Sequence, residues 1–221
     1  AAAGGYNRIK HLIFPADVSR RISYRIGREG LSLNSVINAA ILLAVRRRLH
    51  RGASKSWMRA ISFADLRPSL EPAPSEAVLG CMISMLRFSV PVWDETSLID
   101  VAHELRREIY RGGKAGAPFL FATLSKVVTR MLLLRGGARM SSSALSFLGK
   151  LDLQPRYGNT QLYEVHAFIT NNVVGPELSG FGKVFLGRIE LDLTYLSSEI
   201  SEATANELLS EIEVSLRALS S

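Results

Sequence analysis

The spacing of hydrophobic and polar positions alternates between helical and strand periods along the whole chain. Short apolar or alternating runs predict strands at residues 8–14, 59–64, 78–90, 145–153, 161–170 and 185–195. Apolar positions three and four residues apart predict helices at residues 15–30, 32–49, 97–111, 119–134 and 201–219. Because helices and strands are interspersed without a linker or a repeat, the pattern predicts one α/β (α+β) lobe over residues 1–221.

Two of these segments make specific predictions about burial. Residues 36–45 are apolar except for Asn38, so their helix should be buried on all sides. This longest apolar run has about half of the ~20 residues that a bilayer requires, which argues against a membrane span. In residues 185–195, Ile189, Leu191 and Leu193 alternate with polar residues, which predicts one face packed on a core and one face in water.

Helix starts and breaks are also marked in the sequence. Residues 32–35 offer capping side chains, among them Asn34, and Ser97 followed by Asp100 has capping-box spacing. Residues 112–116 are glycine-rich and should end the third helix. Gly80, inside a strand-like segment, indicates a bulge or a close approach of two backbones.

Composition places the chain among ordered proteins without a disulfide framework. Of its 221 residues, 47% are hydrophobic and 21% are charged, enough apolar surface for a core. The single cysteine, Cys81, excludes an internal disulfide and fits a reducing, cytoplasmic location. The start at Ala1 has no initiating Met and no hydrophobic leader, so we expect a chain cut from something longer.

The positive charge is concentrated near the N-terminus. Residues 1–60 carry 12 Lys or Arg against two acidic residues, a net of +10, whereas the other 161 residues carry 15 basic and 18 acidic residues. This stretch predicts a solvated face or an anionic partner. Nucleic acid is disfavoured because the aromatic residues of the stretch form no stacking platform. Residues 46–48, three arginines, end a helix, where the backbone dipole favours cations.

Residue spacing alone reveals no complete catalytic or metal-binding constellation. No two of the four histidines have metal-ligand spacing, and Cys81 has no partner cysteine, which predicts no metal site. His103 reads as a surface residue and His166 as packed in a strand, while His11 and His50 look solvated. The chain also has no phosphate-binding glycine loop and no Gly-x-Ser-x-Gly elbow.

Four segments, in order, nevertheless resemble one known family. They are Leu-Ser-Leu-Asn-Ser-Val at 31–36, Ile-Ser-Phe-Ala-Asp-Leu-Arg-Pro at 61–68, Leu-Gly-Cys at 79–81 and Ser-Phe-Leu-Gly at 146–149. Together with the strand at 185–195 and the last helix, they resemble the C-terminal lobe of the condensation-domain and chloramphenicol-acetyltransferase-like acyltransferases, which include nonribosomal-peptide condensation domains, alcohol O-acetyltransferases and wax-ester synthases. The chain departs from the family pattern at Ser35, at Cys81 and at residues 180–182.

The resemblance implies a mixed, largely antiparallel sheet covered by helices, and an acyl transfer to a hydroxyl or amine. The donor would be a thioester, acyl-CoA or the phosphopantetheine of an acyl carrier protein. The family's base is the histidine of a His-x-x-x-Asp motif in the N-terminal lobe, and no histidine here has Asp four residues later. We therefore expect this chain alone to be inactive. Its exposed apolar face should pair with the missing N-terminal lobe or drive self-association.

The resemblance also assigns roles to individual residues. Arg67 would form a salt bridge with the Asp of the missing motif; the alternative is a surface arginine before a proline loop. Ser146 and Gly149 would line the acyl tunnel, with the serine hydroxyl near the oxyanion, unless they are merely structural. Asn171 and Asn172 would face the same cleft or simply form a turn.

The basic helix near the N-terminus is the expected contact for the acyl donor. Its arginines would meet the phosphates of coenzyme A or the acidic face of a carrier protein; they are Arg20, Arg21, Arg25 and Arg28. Two other functions stay open at this point. One is a non-catalytic binding or scaffold module of the same fold, and the other is a basic nucleic-acid-binding protein, whose binding would fall steeply with salt.

Overall fold

A computed structural model of the chain describes residues 5–52, 57–75, 77–135 and 139–221. Its helices are α1 (Ala16–Arg28), α2 (Leu33–Leu49), α3 (Leu98–Lys114), α4 (Ala117–Leu134) and α5 (Glu202–Arg217). Its strands are β1 (Asn7–Ile13), β2 (Trp57–Asp65), β3 (Ile83–Pro91), β4 (Ser143–Lys150), β5 (Arg156–Tyr157), β6 (Thr160–Gln161), β7 (Leu178–Phe185) and β8 (Arg188–Leu196).

One six-stranded sheet organises the lobe, in the order β1-β8-β7-β4-β2-β3. The β2–β4 and β4–β7 pairs are parallel, and the other three pairs are antiparallel. Strands β5 and β6 form a separate hairpin. The predicted mixed, largely antiparallel sheet is therefore confirmed. Because β2, β4 and β7 run in the same direction, their carboxyl ends lie at the same end of the sheet.

Helix α2 is the centre of the core, as its apolar sequence predicts. It packs against α3, α5 and β4, and every residue from 35 to 46 is buried. Its N-cap is Ser32, whose hydroxyl accepts the Ser35 backbone N–H in a capping box. The prediction of Asn34 as the cap was wrong: it lies inside the first turn, and its Oδ1 accepts no hydrogen bond from the described residues.

The hairpin β7–β8 is where the strand predictions need most correction. The predicted strand at 185–195 is two strands, because Leu186 (φ 49°) and Gly187 (φ 76°) form the turn between them. Two consecutive positive φ values match the twist of a two-residue β-hairpin. The predicted strand at 161–170 was also wrong. Only Thr160–Gln161 is in a strand, and residues 162–173 run without regular structure.

The glycines around α3 and β3 also behave differently from the prediction. Helix α3 begins after Ser97, as expected, but continues through Gly112 and Gly113 to Lys114. Gly116, with φ 71°, then separates it from α4. Gly80 is not a bulge, because β3 begins only at Ile83.

Helix α4 is an exposed apolar element at the β3 edge of the sheet. Pro118 is the single buried residue among its 18, and the Ser84 hydroxyl donates to the Pro118 carbonyl at 2.5 Å. Large apolar side chains that face solvent include Phe119, Leu120, Leu124, Val127, Met131, Leu133 and Leu134. By length and composition alone α4 could cross a membrane, which for one such helix is weak evidence. Its exposure does show an apolar surface of the kind that the resemblance implies.

Candidate functional site

A buried cluster of charges lies on the sheet face opposite the helices. Lys183, Glu190 and Asp192 on β7 and β8 are each no more than 2% exposed. Alternation in β8 predicted that this face would be in water, which was wrong, because the segment before β7 covers it. The Ala167 backbone N–H donates to Asp192 Oδ2 at 3.1 Å, and the Asn171 side-chain amide donates to the Thr194 carbonyl at 2.8 Å.

Lys183 is the cation at the centre of this cluster. Its Nζ lies 2.7 Å from Asp192 Oδ2 and 3.7 Å from Glu190 Oε2, and its side chain is 0% exposed. Glu190 has a second ion pair, with Arg188 Nη2 at 2.8 Å. The pairing register of the β7–β8 hairpin places Lys183 directly opposite Glu190. Buried charges persist only when they are paired in this way.

Two histidines complete the cluster from outside the hairpin. His11 Nδ1 on β1 and His166 Nδ1 lie 2.7 and 2.8 Å from the same atom, Asp192 Oδ1. Their rings are 4.4 Å apart, and His166 Nε2 donates to Glu164 Oε2 at 3.1 Å. The expectation that His11 is solvated was wrong in this respect, since its half-exposed ring is bound to a buried carboxylate.

The environment shifts the pKa of each of three groups in a definite direction. The hydrogen bond to Asp192 raises the pKa of His166, with Glu164 adding to the effect against the opposing influence of burial. Burial raises the pKa of Glu190, although Lys183 and Arg188 oppose it. Burial would likewise raise the pKa of Asp192, but its hydrogen bonds, led by that from Lys183, outweigh burial and lower it.

Among the described residues, three side chains of this cluster are placed so that they could hold a metal ion. Ligand atoms of His11, His166 and Asp192 all lie within 4.8 Å of one another. Sequence spacing did not predict this group, because the histidines lie 181 and 26 residues from Asp192 in the chain. Imidazole nitrogens with one carboxylate are a donor set suited to late first-row divalent metals.

Arg67 lies just beyond the carboxyl end of β2 and does not point into bulk solvent. Its Nη2 donates to the carbonyls of Val78 and Gly80, at 3.2 Å each, and its backbone N–H donates to Asp65 Oδ1. Its Nε and Nη1 make no hydrogen bond within the described part of the chain. The side chain is thus held across the strand end, and two of its three nitrogens keep hydrogens that could bind a further acceptor.

Ser146 and Gly149 lie on β4, but they differ in their surroundings. Ser146 is 8% exposed and pairs with Phe181, which in turn pairs with Asp192. It therefore shares the charge-bearing face with Asp192, two strands away, or about 10 Å. Gly149 has φ 74° at an irregularity in the β4–β7 pairing, a conformation that strains any other residue.

The two asparagines lie at the other end of the sheet from Gly149 and Arg67. Asn171 is buried, and its side chain bonds to the Thr194 carbonyl and the Ser179 hydroxyl. Asn172 Oδ1 accepts the Val174 backbone N–H, an Asx turn. Asn172 thus forms a turn, whereas Asn171 joins β7 to β8, and the structure does not bring the two asparagines together with the β4 residues.

The four arginines of α1 form a separate surface near the C-terminus. With Tyr24 and residues 219–221 they border a cavity of about 420 Å³. Arg21 pairs with Asp17 and Arg25 with Glu29, whereas Arg20 and Arg28 have no ion pair in the described ranges. Helix α1 follows the edge strand β1, four strands from β2, or about 19 Å. These arginines and Arg67 therefore do not form one site.

His50 provides a pH-dependent contact between α2 and the segment before β7. Its Nε2 lies 2.7 Å from Glu177 Oε2, and this hydrogen bond raises the pKa of His50 above 6.5, against burial. The contact should therefore stabilise the fold fully below the unfolded-state pKa, about 6.5, and lose that effect as pH rises through the folded-state pKa.

Glu177→Gln should then destabilise the chain at pH 5.5, by up to about 1 kcal/mol, and far less at pH 8.5. Urea unfolding at both pH values measures this; an equal loss at both would contradict it.

Comparison with known proteins finds one matching family model and several structures of the same fold. The family model of the phthiocerol/phthiodiolone dimycocerosyl transferase C-terminus matches residues 11–120. No curated protein sequence matches the chain. Among solved structures, the trichothecene 15-O-acetyltransferase of Fusarium sporotrichioides is similar over 99% of this chain and 48% of its own, with TM-score 0.75 and 16% identity.

Two further solved structures also match nearly the whole chain over about half of their own lengths. Polyketide synthase associated protein 5 from Mycobacterium tuberculosis matches 97% of this chain and 53% of its own length, with TM-score 0.71 and 16% identity. The condensation domain of the monacolin K polyketide synthase matches 97% of this chain and 47% of its own length, with TM-score 0.69 and 13% identity. The chain thus spans about half the length of these proteins. The chain therefore has the fold of one lobe of the condensation-domain and chloramphenicol-acetyltransferase-like acyltransferases, and its residues 11–120 match the model of such a C-terminal lobe.

Proposed function

We propose that this lobe, joined to an N-terminal lobe, transfers an acyl group from a thioester to a hydroxyl or amine. The observation that carries the proposal is the fold, since nearly the whole chain superposes on one half of an acetyltransferase and of a condensation domain. The donor would be acyl-CoA or the phosphopantetheine of an acyl carrier protein. Neither lobe alone would suffice, because the reaction site would lie between them.

The base for the reaction would belong to the N-terminal lobe. None of the four histidines of this chain has Asp four residues later. His11 and His166 are bound to Asp192, and His50 to Glu177. What this lobe would contribute is positioning: one wall of the acyl tunnel along Ser146 and Gly149, and support for the histidine loop through Arg67.

Arg67 has the geometry for this supporting role. Two carbonyls, those of Val78 and Gly80, hold one end of its guanidinium at the strand edge. The hydrogens of Nε and Nη1 are then free to donate to the carboxylate of the His-x-x-x-Asp motif.

In the two-lobed protein, Arg67→Ala should lower kcat for acyl transfer by about 10- to 100-fold, because the histidine loses its support. KM for the donor should change little, since Arg67 would contact neither substrate. Arg111→Ala is the matched control, because within the described part of the chain its guanidinium pairs only with Glu108 on the same helix. Equal kcat values for the two variants would remove Arg67 from the mechanism.

Helix α4 is the surface that we assign to the contact with the N-terminal lobe. Its apolar side chains are exposed along the whole helix, and the relatives of known structure have a second half that this chain lacks. Burying such a surface against a partner is favourable, at about 25 cal/mol per Å² of apolar area. Self-association through the same surface stays the prediction for the isolated chain.

The arginines of α1 would bind the anionic part of the donor. Arg20 and Arg28 have no internal partner among the described residues, and Tyr24 lies between them beside a cavity of about 420 Å³. The phosphates of coenzyme A and the acidic face of a carrier protein share the chemistry that guanidinium groups recognise. The distance from Arg67 requires that the donor extend from α1 towards the tunnel.

Replacing Arg20, Arg21, Arg25 and Arg28 together by Gln should weaken donor binding by about tenfold or more, the effect of ~1.4 kcal/mol. Calorimetry with acyl-CoA and with an acylated carrier protein would show which donor is affected. The matched control changes the same charge on α3, where Arg106, Arg107, Arg111 and Lys114 include two similar intrahelical ion pairs. Equal effects of the two quadruple variants, or none, would overturn the donor assignment.

A non-catalytic binding or scaffold module of the same fold is the second candidate. The absence of a His-x-x-x-Asp motif from this chain favours it. The two candidates differ in one measurable respect: a scaffold module would show no acyl transfer even when joined to its natural partner lobe.

A further inference from the structure

Three ligand atoms from separate parts of the chain converge on one point of the sheet. His11 comes from β1, Asp192 from β8 and His166 from the connection before β7, and both Nδ1 atoms lie within 2.8 Å of Asp192 Oδ1. The side chains of His11 and His166 are 45% and 29% exposed, which leaves a path for an ion from solvent. We propose that these three residues bind one late first-row divalent cation, of which Zn²⁺ is the best fit.

The surrounding hydrogen bonds orient two of the three groups for a metal. Glu164 Oε2 accepts the His166 Nε2–H at 3.1 Å, and a cation would displace the hydrogen with which His166 Nδ1 now binds Asp192 Oδ1 and take the Nδ1 lone pair. Lys183 and the Ala167 backbone N–H hold Asp192 Oδ2, which leaves Oδ1 for the cation. Carboxylate–histidine–metal arrangements of this kind are the usual support of zinc sites.

The local charge also favours a cation. Asp192, Glu190 and Glu164 carry three negative charges, and Lys183 and Arg188 carry two positive ones. Metal binding requires both imidazoles to be neutral, so a cation would compete with protons for them, and in that state the cluster has a formal charge of −1. A bound divalent ion would thus change the formal charge of the cluster from −1 to +1, so the magnitude of the net charge would not increase.

The geometry requires only a small adjustment of the two rings. Tetrahedral zinc with bonds of about 2.0–2.1 Å places its ligand atoms about 3.3 Å apart, against 2.7 and 2.8 Å here. Both rings are partly exposed, so they can shift by about half an ångström while Asp192 stays fixed. A water molecule would take the fourth position. The bound ion would join edge strand β1, strand β8 and the 162–173 connection.

The test uses the full chain without a histidine tag, stripped of metal with EDTA. Titration with ZnCl2 by calorimetry should give one site, and Co²⁺ should give the visible absorption of a tetrahedral complex. His11→Ala and His166→Ala should each weaken Zn²⁺ binding at least tenfold, and Glu164→Ala should weaken it about tenfold. His103→Ala on α3, away from the cluster, should bind like the unchanged chain.

The variants avoid Asp192, because its loss would remove the closer of the two carboxylates that pair with the buried Lys183 and would destabilise the fold. Circular dichroism confirms that each histidine variant is folded before titration. The proposal is overturned if the folded chain shows no saturable one-to-one Zn²⁺ binding. It is also overturned if affinity is unchanged in His11→Ala and His166→Ala, or is lost in His103→Ala instead.

Discussion

The Lys183→Met variant should have a free energy of unfolding about 3–5 kcal/mol below that of the unchanged chain. Lys183 is fully buried, and it is the cation within 4 Å of both Asp192 and Glu190. Methionine fills the space of the lysine stem but leaves two buried carboxylates with one cation fewer. Removing one partner of a buried ion pair is costly because the remaining charge has lost its solvation in water.

Urea unfolding at pH 7 in the presence of EDTA measures this loss without any contribution from metal. Lys10→Met is the matched control, because Lys10 pairs with the exposed Glu202 and should lose less than about 1 kcal/mol. The triple variant Lys183→Met, Glu190→Gln, Asp192→Asn should recover part of the loss. A Lys183→Met variant as stable as Lys10→Met would show that the cluster tolerates an unpaired charge.

The Asn38→Ala variant should lower the free energy of unfolding by about 2–3 kcal/mol. Asn38 is fully buried in α2, where its Nδ2 donates to the Ile61 carbonyl and the Ser62 hydroxyl, and its Oδ1 accepts the Ser143 hydroxyl. The amide thereby joins α2 to the adjacent strands β2 and β4. Alanine would leave these groups without a partner in a place that water does not reach.

Asn34 on the same helix supplies the control for this prediction. Its side-chain oxygen has no hydrogen-bond partner among the described residues, so Asn34→Ala should change stability by less than about 0.5 kcal/mol. Chemical denaturation of both variants, compared at constant m-value, gives the two numbers. If the two substitutions cost the same, the bridge from α2 to the sheet contributes nothing.

The elements that depend on local periodicity could be predicted from the sequence. Helix α2, strand β1 and the cap at Ser97 follow directly from apolar runs and capping residues. Strand β7 was not predicted, because Gly180 and Gly182 interrupt the alternation of apolar and polar residues that marks a strand. Their reason lies in the packing: a Cβ on Gly180 would lie 2.9 Å from Ile41 Cδ1, and one on Gly182 2.6 Å from Phe147 Cδ2.

The charged cluster could not be predicted, because its members meet only through the sheet. Alternation in β8 identified Glu190 and Asp192 as one face of a strand, but whether water or protein covers that face depends on the 162–173 segment. That segment has the composition of a strand and no strand pairing beyond Gln161. A hint was present in the hairpin itself, since the two-residue turn places Lys183 opposite Glu190.

The resemblance predicted the fold of the lobe, and the structure shows how its proposed residues are arranged. Arg67 follows β2 and Gly149 lies near the end of the parallel strand β4, both at one end of the sheet, whereas Asn171 forms internal hydrogen bonds at the other end. The order of the residues in the sequence could not show which of them lie at the same end of the sheet. The donor, the acceptor and the cytoplasmic location stay predictions.

We propose that this lobe forms one side of a reaction site and has no base of its own. Multiple-turnover acyl transfer by the 24.3-kDa chain alone should be measured beside the same chain joined to an N-terminal lobe. Product should form at the uncatalysed rate with the chain alone and by enzymatic turnover with the two lobes together. Turnover by the isolated chain, or none by the joined lobes, would overturn this proposal.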